Sequence, residues 1–399
     1  MKNKIAIIGA GTAGSITTTL ITQNLPHEVD WYFDPDTPAK SVGEGTSLAF
    51  PKFLFEELNI NMAELNSSLD GTYKKGIRKI NWGGSGDFIH EFNLGASGVH
   101  FNANKFQNLT QNKIQNRVSI IPSKIISYED IDATYIIDCS GKPLSSQDYI
   151  YPESIPVNSA HIVQCFWEKP EFEYTLTVAR PYGWVFGIPL QNRCSIGYIY
   201  NKDINTLEEV QEDIKEVFKQ FNLTPSSKTN TFSFDNYFKK QNFYDRVAYN
   251  GNASFFLEPL EATSIDVILK NTYSSIDFLK GASTLGKINT KYQDYLNEIE
   301  EMIMLHYLAG SKFNTPFWQF AQERAQVNLE KSLNNPKFTR MFNSLPHSPE
   351  MPYAFNNGSS LGAGTWPINS YYFNLKELGL LQPLSQAVYE YSHKNCKFI

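Results

Sequence analysis

The sequence predicts an α/β protein in which a Rossmann-type nucleotide-binding sheet is joined by an inserted β-rich domain and a helical C-terminal region. Three observations support this fold class. An apolar run at residues 5–8 leads into a glycine-rich turn at 9–14 and then into a helix, as in parallel βαβ units. Residues 158–200 have the composition of strands, and apolar residues recur at helical spacing from residue 205 onward.

The individual elements follow from the same periodicities. After the first strand, residues 12–24 are expected to form a helix, although β-branched threonines weaken its propensity. Residues 29–33 are expected to form the second strand of the nucleotide-binding sheet. Further helices are predicted at 46–60, 205–221, 286–308, 315–334 and 374–393, and strands within 72–102, 116–139 and 158–200.

Composition excludes several classes of protein. A chain of 399 residues is long enough for two or three folded units at roughly 150 residues each. Its 41% hydrophobic and 19% charged residues exclude a disordered tail or a coiled coil, and a net charge of −6 argues against nucleic-acid binding. The four cysteines lie far apart, so we expect no metal site, no disulfide framework and a cytoplasmic location. No apolar run approaches the ~18 residues of a membrane span, and no signal peptide is expected.

The glycine-rich turn has the pattern G-x-G-x-x-G between a strand and a helix. The first glycine permits a tight turn, the second permits close approach of a pyrophosphate, and the third permits close packing of helix and strand. The free amides and positive end of the helix then favour the anion. Asp34 follows the second strand, where a carboxylate would bind a ribose hydroxyl. The predicted dinucleotide-binding residues are Gly9, Gly11, Thr12, Ala13, Gly14 and Asp34.

A second segment indicates which dinucleotide is bound. The apolar strand at 135–137 runs into Asp138 and then Gly141, an Asp-x-x-Gly pattern. In FAD monooxygenases and oxidases such a strand returns beside the nucleotide, and its Asp or glycine backbone meets the flavin side. Alone, the pattern is also that of an ordinary strand and turn. Together with the glycine-rich turn it favours FAD over NAD and predicts an FAD-binding monooxygenase-like fold.

Further segments occur in the order and spacing of one family's motifs. They are residues 41–46 (SVGEGT), 73–82 (YKKGIRKINW), 183–189 (GWVFGIP), 255–265 (FFLEPLEATSI), and 305–308 (LHYL) with 315–318 (TPFW). Through these segments the chain resembles the flavin-dependent tryptophan halogenases over most of its length.

The resemblance implies a set of site residues. Lys74 matches the family's catalytic lysine, because it follows an aromatic residue and precedes a tryptophan by eight positions; Lys75 meets neither condition. Glu261 matches the essential glutamate. The remaining implied positions are Thr263 and Ser264 at the halide, Glu44 and Ile265 at the cofactor, and Trp184, Phe186 and Pro189 in the partition between substrate and flavin.

The activity implied by this resemblance is halogenation of an aromatic or heteroaromatic small molecule. The family uses FADH2, O2 and halide to make hypohalous acid. Lys74 would bind it as a hydrogen-bond donor or as a haloamine, and Glu261 would orient the halogenating species or accept the proton that leaves the ring. The chain contains one nucleotide loop, so a separate flavin reductase is expected to supply FADH2. A homo-oligomer is compatible with these expectations.

The chain departs from the family pattern at three positions: Phe186 replaces a tryptophan, Ala262 a serine and Ser264 a glycine. The chain is also shorter towards its C-terminus, so its helical region is reduced and a substrate other than tryptophan is expected. A less polar site should favour larger halides, so bromide and iodide are predicted to be used at least as well as chloride.

Two alternatives stay open: a flavin-dependent aromatic hydroxylase, which the replacement at Phe186 leaves possible, and a non-catalytic FAD-binding protein. Trp184 also has the features of a core residue, and His306 those of a buried core histidine. The predicted division of the chain is 1–75 (first FAD-binding part), 76–115 (substrate-side β segment), 116–160 (second FAD-binding part), 161–250 (β-rich substrate domain), 251–285 (FAD- and halide-binding segment) and 286–399 (helical C-terminal region).

Overall fold

A computed structural model describes residues 4–37, 43–92, 96–141, 147–343, 345 and 366–395. Its strands are β1 Lys4–Ile8, β2 Glu28–Phe33, β3 Gly43–Gly45, β4 Thr72–Lys74, β5 Gly76–Ile80, β6 Asp87–Glu91, β7 Gly98–Asn102, β8 Ser119–Pro122, β9 Tyr135–Asp138, β10 Tyr149–Ile150, β11 Ser159–Phe166, β12 Thr175–Arg180, β13 Gly183–Pro189, β14 Arg193–Tyr200, β15 Thr224–Ser233, β16 Tyr237–Lys239, β17 Val247–Tyr249 and β18 Phe255–Phe256. Its α-helices are α1 Thr12–Asn24, α2 Ala49–Leu58, α3 Leu65–Leu69, α4 Ala103–Ile114, α5 Leu207–Gln220, α6 Ser264–Leu279, α7 Leu285–Ala309, α8 Pro316–Leu333, α9 Pro336–Asn343, α10 Ile368–Glu377 and α11 Leu381–Asn395.

The predicted Rossmann-type sheet is confirmed. Five parallel strands lie in the order β17-β9-β1-β2-β8, and β1 is fully paired on both sides. Helix α1 follows β1 and packs against α6. Its threonines, which weaken helix propensity, form a polar contact there: Thr17 and Thr272 are joined by a hydrogen bond of 3.2 Å, and Asn250 donates to both. The helix is therefore stabilised by tertiary packing rather than by propensity.

The inserted β-rich region is a seven-stranded sheet in the order β15-β11-β14-β13-β12-β5-β6. Neighbouring strands are antiparallel except for β12 and β5. Helix α5 covers one face with Val210, Ile214 and Val217, and a capping box of Thr206 and Glu209 begins it. The fold class is the predicted one.

A small sheet, ordered β3-β7-β4, connects the nucleotide-binding part to the seven-stranded sheet. Strand β4 ends at Lys74, and β5 begins two residues later in the large sheet. Helices α7 and α8 pack against each other, and α10 contacts β6. The small sheet therefore leads directly into the large sheet, beside the edge strand β6 that α10 contacts. None of the helices in the described part of the chain is long and apolar enough to cross a membrane.

Some predicted element boundaries are wrong. The single helix expected at 374–393 is two helices, α10 and α11, because Gly379 has a positive φ of 76° and ends the first. The helix expected at 46–60 spans Ala49–Leu58 and ends at Asn59 in the left-handed conformation. Helices α4 and α6 were not anticipated, since their polar and β-branched residues do not have a strong helical pattern.

Candidate active site

The glycine-rich turn has the geometry that a dinucleotide requires. Gly9 has a positive φ of 103°, and a Cβ on Gly14 would lie 1.9 Å from the carbonyl oxygen of Gly9, so both positions need glycine. A Cβ on Gly11 would meet nothing within 4 Å, so the space beside it is open. Helix α1 begins at Thr12, followed by buried Ala13, and has neither a side-chain cap nor an acidic residue in its first turn. Its free amides therefore fit a pyrophosphate.

The two aspartates predicted near the cofactor have different surroundings. Asp34 is half-buried and accepts a hydrogen bond of 3.0 Å from the backbone N–H of Asp36, which lowers the pKa of its carboxyl. Asp138 uses both oxygens within the protein: Oδ1 accepts from Ser140 N at 2.8 Å and Oδ2 from Tyr128 OH at 2.5 Å. Asp138 therefore holds the turn that leads to Gly141, which has a φ of 126° and open space beside its Cα.

The segment that resembles the family's flavin strap lies partly outside the described residues, since Ser41 and Val42 are not among them. Its described part is β3, where Glu44 pairs with Phe101 of β7. Glu44 is half-buried, and burial raises the pKa of its carboxyl to about 7. A Cβ on Gly45 would lie 3.7 Å from the Cβ of Ala262, so the strap packs closely against the turn that follows Glu261.

Lys74 lies inside the protein, only 1% exposed, at the end of β4. Its Nζ faces the ring of Phe92 at 5.5 Å from the centroid, and among the described residues none accepts a hydrogen bond from it. Burial lowers the pKa of Lys74 to about 7; the charge of Glu261 acts to raise it and the charge of Lys79 to lower it. An amine with a pKa near neutrality can both donate and accept a proton at physiological pH.

Glu261 is buried in the turn between β18 and α6 and contacts two basic side chains through one oxygen. Lys79 Nζ lies 2.5 Å from Oε1, and His306 Nε2 lies 3.1 Å from the same atom. Oε2 has no hydrogen-bond partner in the described part of the chain. Burial by itself would raise the pKa of this carboxyl, but the charge of Lys79 acts in the opposite direction, and the pKa lies well below its usual range. One oxygen is thus fixed and the other is available.

A chain of hydrogen bonds fixes Lys79 in turn. Lys79 Nζ donates to Asn374 Oδ1 at 2.6 Å, and Asn374 Nδ2 donates to His90 Nδ1 at 3.2 Å. His90 Nε2 then donates to Ser370 Oγ at 2.9 Å. This arrangement requires a neutral His90 with its proton on Nε2, and burial lowers its pKa to about 3.

Sequence reasoning missed Lys79, His90 and Asn374. A signal existed for Lys79, because it shares a strand face with the apolar Ile77 and a charged residue on an inward face is unusual. The contact with Asn374 spans 295 positions, and no local pattern announces it. His306 is the buried histidine that was expected, with Nδ1 donating to the Met302 carbonyl oxygen at 2.8 Å, but it also contacts Glu261.

The predicted partition residues lie on β13. Trp184 is fully buried and its indole Nε1 donates to Glu258 Oε2 at 3.1 Å, so this ring is anchored in the core. Phe186 is half-buried on the same face, and its ring covers Gly197, where a Cβ would lie 2.2 Å from it. Pro189 accepts a hydrogen bond of 2.8 Å from Thr72 Oγ1, which ties β13 to β4 and hence to Lys74.

The turn before α6 contains one residue in a left-handed conformation. Ala262 has a φ of 53°, and its N–H donates to the Pro259 carbonyl oxygen at 3.0 Å. Thr263 is the N-cap of α6 without a side-chain cap, and Ser264 is the first helical residue. The strained position of this turn is therefore Ala262, and a serine at 264 needs no unusual backbone geometry. Ile265, predicted at the cofactor, is buried in the first turn of α6.

Together, a Rossmann-type sheet, a dinucleotide turn and a buried lysine–carboxylate cluster define a nucleotide-dependent enzyme of the α/β class. A family model described as tryptophan halogenase matches residues 4–117 and 93–348, and the chain belongs to this family. It is accordingly a flavin-dependent halogenase, an oxidoreductase and flavoprotein of a family that acts on aromatic substrates.

Individual relatives are distant. The chain is 21% identical to a tryptophan 7-halogenase of Lentzea aerocolonigenes, over 95% of this chain and 90% of the relative. A tryptophan 6-halogenase of Streptomyces toxytricini is 24% identical over 49% of this chain and 40% of the relative. The fold resembles a flavin-dependent halogenase of Xanthomonas campestris with a TM-score of 0.78 at 16% identity, covering 99% of this chain and 95% of that one. A tryptophan halogenase structure from Shewanella frigidimarina gives a TM-score of 0.76 at 18% identity, covering 98% and 94%.

Membership in this family implies FAD, and the open cradle beside Gly11 together with the uncapped start of α1 fits its pyrophosphate. Among the residues that the structure describes, no group of three or more His, Cys, Asp and Glu side chains is arranged to hold a metal ion.

Proposed function

We propose that the protein uses FADH2, O2 and halide to halogenate an aromatic or heteroaromatic small molecule, with hypohalous acid held by Lys74. The observation that carries this proposal is the placement of Lys74 and Glu261. The two residues come from different elements, are both buried, and interact electrostatically in one cluster. One carboxylate oxygen and the lysine amine have no hydrogen-bond partner among the described residues, so both are available for chemistry.

The cofactor would be held by the turn around Gly11 and Gly14, with Asp34 at the ribose and the backbone near Gly141 and Glu44 on the flavin side. The open space beside Gly11 and Gly141 supports this assignment, because a ligand can approach the backbone there. When bound, reduced FAD would react with O2 and halide to supply the hypohalous acid that halogenates the substrate. We propose that a separate flavin reductase supplies the reduced FAD. The described cysteines Cys139, Cys165 and Cys194 are unpaired, which supports a reducing, cytoplasmic setting.

The halide is assigned to the start of α6, at the backbone of Thr263 and Ser264. The N-terminal amides of a 16-residue helix favour an anion, and Thr263 provides no side-chain cap that would occupy them. The close packing of Gly45 against Ala262 supports this position, because it brings the strap and the helix start together.

Lys74 and Glu261 would divide the proton transfers of the halogenation step. Lys74 holds hypohalous acid by hydrogen bonds and gives a proton to its oxygen, which leaves as water as the halogen bonds to the ring carbon. Glu261 Oε2 accepts the proton that this ring carbon loses. Return of that proton from Glu261 to Lys74 restores both groups. A lysine pKa of about 7 supports this exchange, because the amine can release and regain a proton near neutral pH.

Trp184, Phe186 and Pro189 are assigned to the partition that keeps the substrate from the flavin. Anchoring of Trp184 to Glu258 and of Pro189 to Thr72 supports a rigid partition. Three of the proteins compared above are tryptophan halogenases by name, and the one from Xanthomonas campestris is named only as a flavin-dependent halogenase. For this chain we propose a small aromatic substrate other than free tryptophan, because Phe186 stands where the family has a tryptophan.

The test is product analysis with the purified protein, FAD, a flavin reductase, NADH and bromide, against a panel of indoles, phenols and pyrroles. Mass spectrometry is expected to detect products with the paired isotope signature of one bromine. Lys74→Met should reduce product formation at least a hundredfold while flavin reoxidation continues. Lys75→Met is the matched control, because that lysine is exposed and pairs with Glu173 on the surface.

Two outcomes would contradict the proposal. Products that gain one oxygen and no halogen would identify an aromatic hydroxylase instead. Bromination that survives in Lys74→Met would show that a different group holds the oxidant.

A further inference from the structure

Two buried lysines lie near one carboxylate, and only one of them contacts it. Lys79 Nζ lies 2.5 Å from Glu261 Oε1, and both side chains are withdrawn from solvent. Lys74 interacts with the charge of Glu261 but donates no hydrogen bond to it or to any other described residue. The ion pair of the site therefore belongs to Lys79, a residue to which neither the family resemblance nor the proposed chemistry assigns a role.

The position of Lys79 is fixed from two sides. On one side its ammonium donates to Glu261, and on the other it donates to Asn374 Oδ1 at 2.6 Å. Rotation of the Asn374 amide would break two hydrogen bonds, because its Nδ2 group donates to His90 Nδ1 at 3.2 Å and to the Ser370 carbonyl oxygen at 3.1 Å. A buried ammonium needs acceptors of this kind. Among the described residues, Lys79 has them and Lys74 does not.

We infer that Lys79 is a positioning residue that holds the negative charge of Glu261 and so keeps Lys74 unpaired in the site. The inference rests on the proposed function for the role of Lys74, but the division of charge between the two lysines stands on the contacts alone. With Glu261 already neutralised, Lys74 is an amine free to bind the oxidant. Without Lys79, Glu261 would hold Lys74 as its own ammonium partner.

Among the described charged groups, Lys79 and Glu261 are the two that shift the pKa of Lys74. The histidines around Lys74 are neutral. His90 is neutral in the hydrogen-bond chain described above, and burial lowers its pKa to about 3. His100 lies between Thr72 Oγ1 and Thr175 Oγ1, 3.0 Å from each, and burial also lowers its pKa.

His306 shares Glu261 Oε1 with Lys79, and burial lowers its pKa as well. These surroundings determine in which direction the pKa of Lys74 changes when Lys79 is removed. Glu261 acts to raise the pKa of Lys74 and Lys79 acts to lower it, so removal of Lys79 raises it.

The experiment measures the protonation of Lys74 directly, without cofactor or turnover. Protein labelled with 13C at lysine Cε is titrated by NMR, and the Lys74 resonance is assigned by its loss in Lys74→Met. The wild-type midpoint is expected near pH 7. Lys79→Met should raise it by at least one pH unit, a tenfold gain in proton affinity, whereas Lys79→Arg, which keeps the cation, should change it by less. Lys75→Met is the control and should leave it unchanged.

An unchanged Lys74 midpoint in a folded Lys79→Met protein would overturn the inference and leave Lys79 with a structural role only. If Lys79→Met does not fold, Glu261→Gln decides the question, because it removes the anion and keeps the neighbouring cation. The Lys74 midpoint must then fall below that of the wild type, and a midpoint that stays or rises overturns the inference. Absence of any halogenated product would overturn the proposed function but would not alter these midpoints.

Discussion

The indole of Trp184 and the carboxyl group of Glu258 are joined in the protein core by a hydrogen bond of 3.1 Å from Nε1 to Oε2. Tyr307 donates to the same oxygen at 2.8 Å, while Glu258 Oε1 has no partner in the described part of the chain. Burial raises the pKa of Glu258 to about 8, although both hydrogen bonds act to lower it. Trp184, which we assign to the partition, is thus held by a carboxyl group that is mostly protonated at neutral pH.

The first prediction concerns how the free energy of unfolding depends on pH. Because the pKa of Glu258 is higher in the folded protein (about 8) than its usual value of 4.5, the folded state binds an extra proton between these values. Protonated Glu258 therefore contributes to the free energy of unfolding about 1.4 kcal/mol for each unit of pKa difference. This contribution is fully present below about pH 4.5 and is lost as pH rises through about 8. Glu258→Gln should be less sensitive to pH between 5 and 8.5.

Urea unfolding of wild type and Glu258→Gln at several pH values measures this effect. At pH 8.5 the variant is expected to equal or exceed the wild type in free energy of unfolding, since the amide keeps an acceptor for Trp184 and Tyr307. Parallel pH profiles for the two proteins would contradict a raised pKa at Glu258.

The second prediction separates cofactor binding from folding in the glycine-rich turn. Gly11→Ala should leave the apoprotein stable, because its Cβ meets no atom within 4 Å. The same Cβ fills the space assigned to the pyrophosphate, so the affinity for FAD should fall at least tenfold. Gly14→Ala should instead destabilise the apoprotein, since its Cβ would lie 1.9 Å from the Gly9 carbonyl oxygen.

Thermal unfolding and titration with FAD measure the two effects separately. Gly286→Ala is a matched control, since its Cβ is also unobstructed but lies in α7. Unchanged FAD affinity in Gly11→Ala would place the pyrophosphate elsewhere.

The third prediction concerns the halide. Ala262 stands in the turn that precedes the assigned halide position, and its Cβ faces the strap at Gly45. Restoring a hydroxyl with Ala262→Ser should raise the ratio of chlorinated to brominated product in a competition with equal halide concentrations. The backbone should tolerate serine about as well as alanine at a φ of 53°, since both carry a Cβ there. A strong chloride preference in the wild type would contradict the argument.

The nucleotide-binding half of the fold was predictable because its signals are local. The apolar strand β1, the glycines at 9–14 and the following helix are contiguous. Gly9 needs glycine for its positive φ of 103°, and Gly14 needs it because a Cβ there would lie 1.9 Å from the Gly9 carbonyl oxygen. The helices α4 and α6 were missed because their stability comes from packing partners far away in sequence. The contact between Thr17 of α1 and Thr272 of α6 illustrates this, since neither threonine indicates a helix by itself.

The candidate site was only partly predictable for the same reason. Lys74 and Glu261 could be proposed from the sequence because each lies in a contiguous motif. The residue that contacts Glu261 is Lys79, however, and the side chain that orients Lys79 is Asn374, near the C-terminal end of the chain. Such a network is a property of three-dimensional packing, and no spacing rule along the chain encodes it.

The fourth prediction tests the energetics of the Lys79–Glu261 pair. Removing one partner of a buried ion pair leaves an uncompensated charge and typically costs about 3–5 kcal/mol, whereas replacing both partners with neutral groups is far less costly. Lys79→Met and Glu261→Gln should therefore each reduce the free energy of unfolding at pH 7. The double variant should lose clearly less than the sum of the two. Urea unfolding of all four proteins measures the coupling, and the exposed pair Lys75–Glu173 serves as the control, where the same changes should have no measurable effect. Additive losses in the buried pair would show that Lys79 and Glu261 stabilise the fold independently of each other.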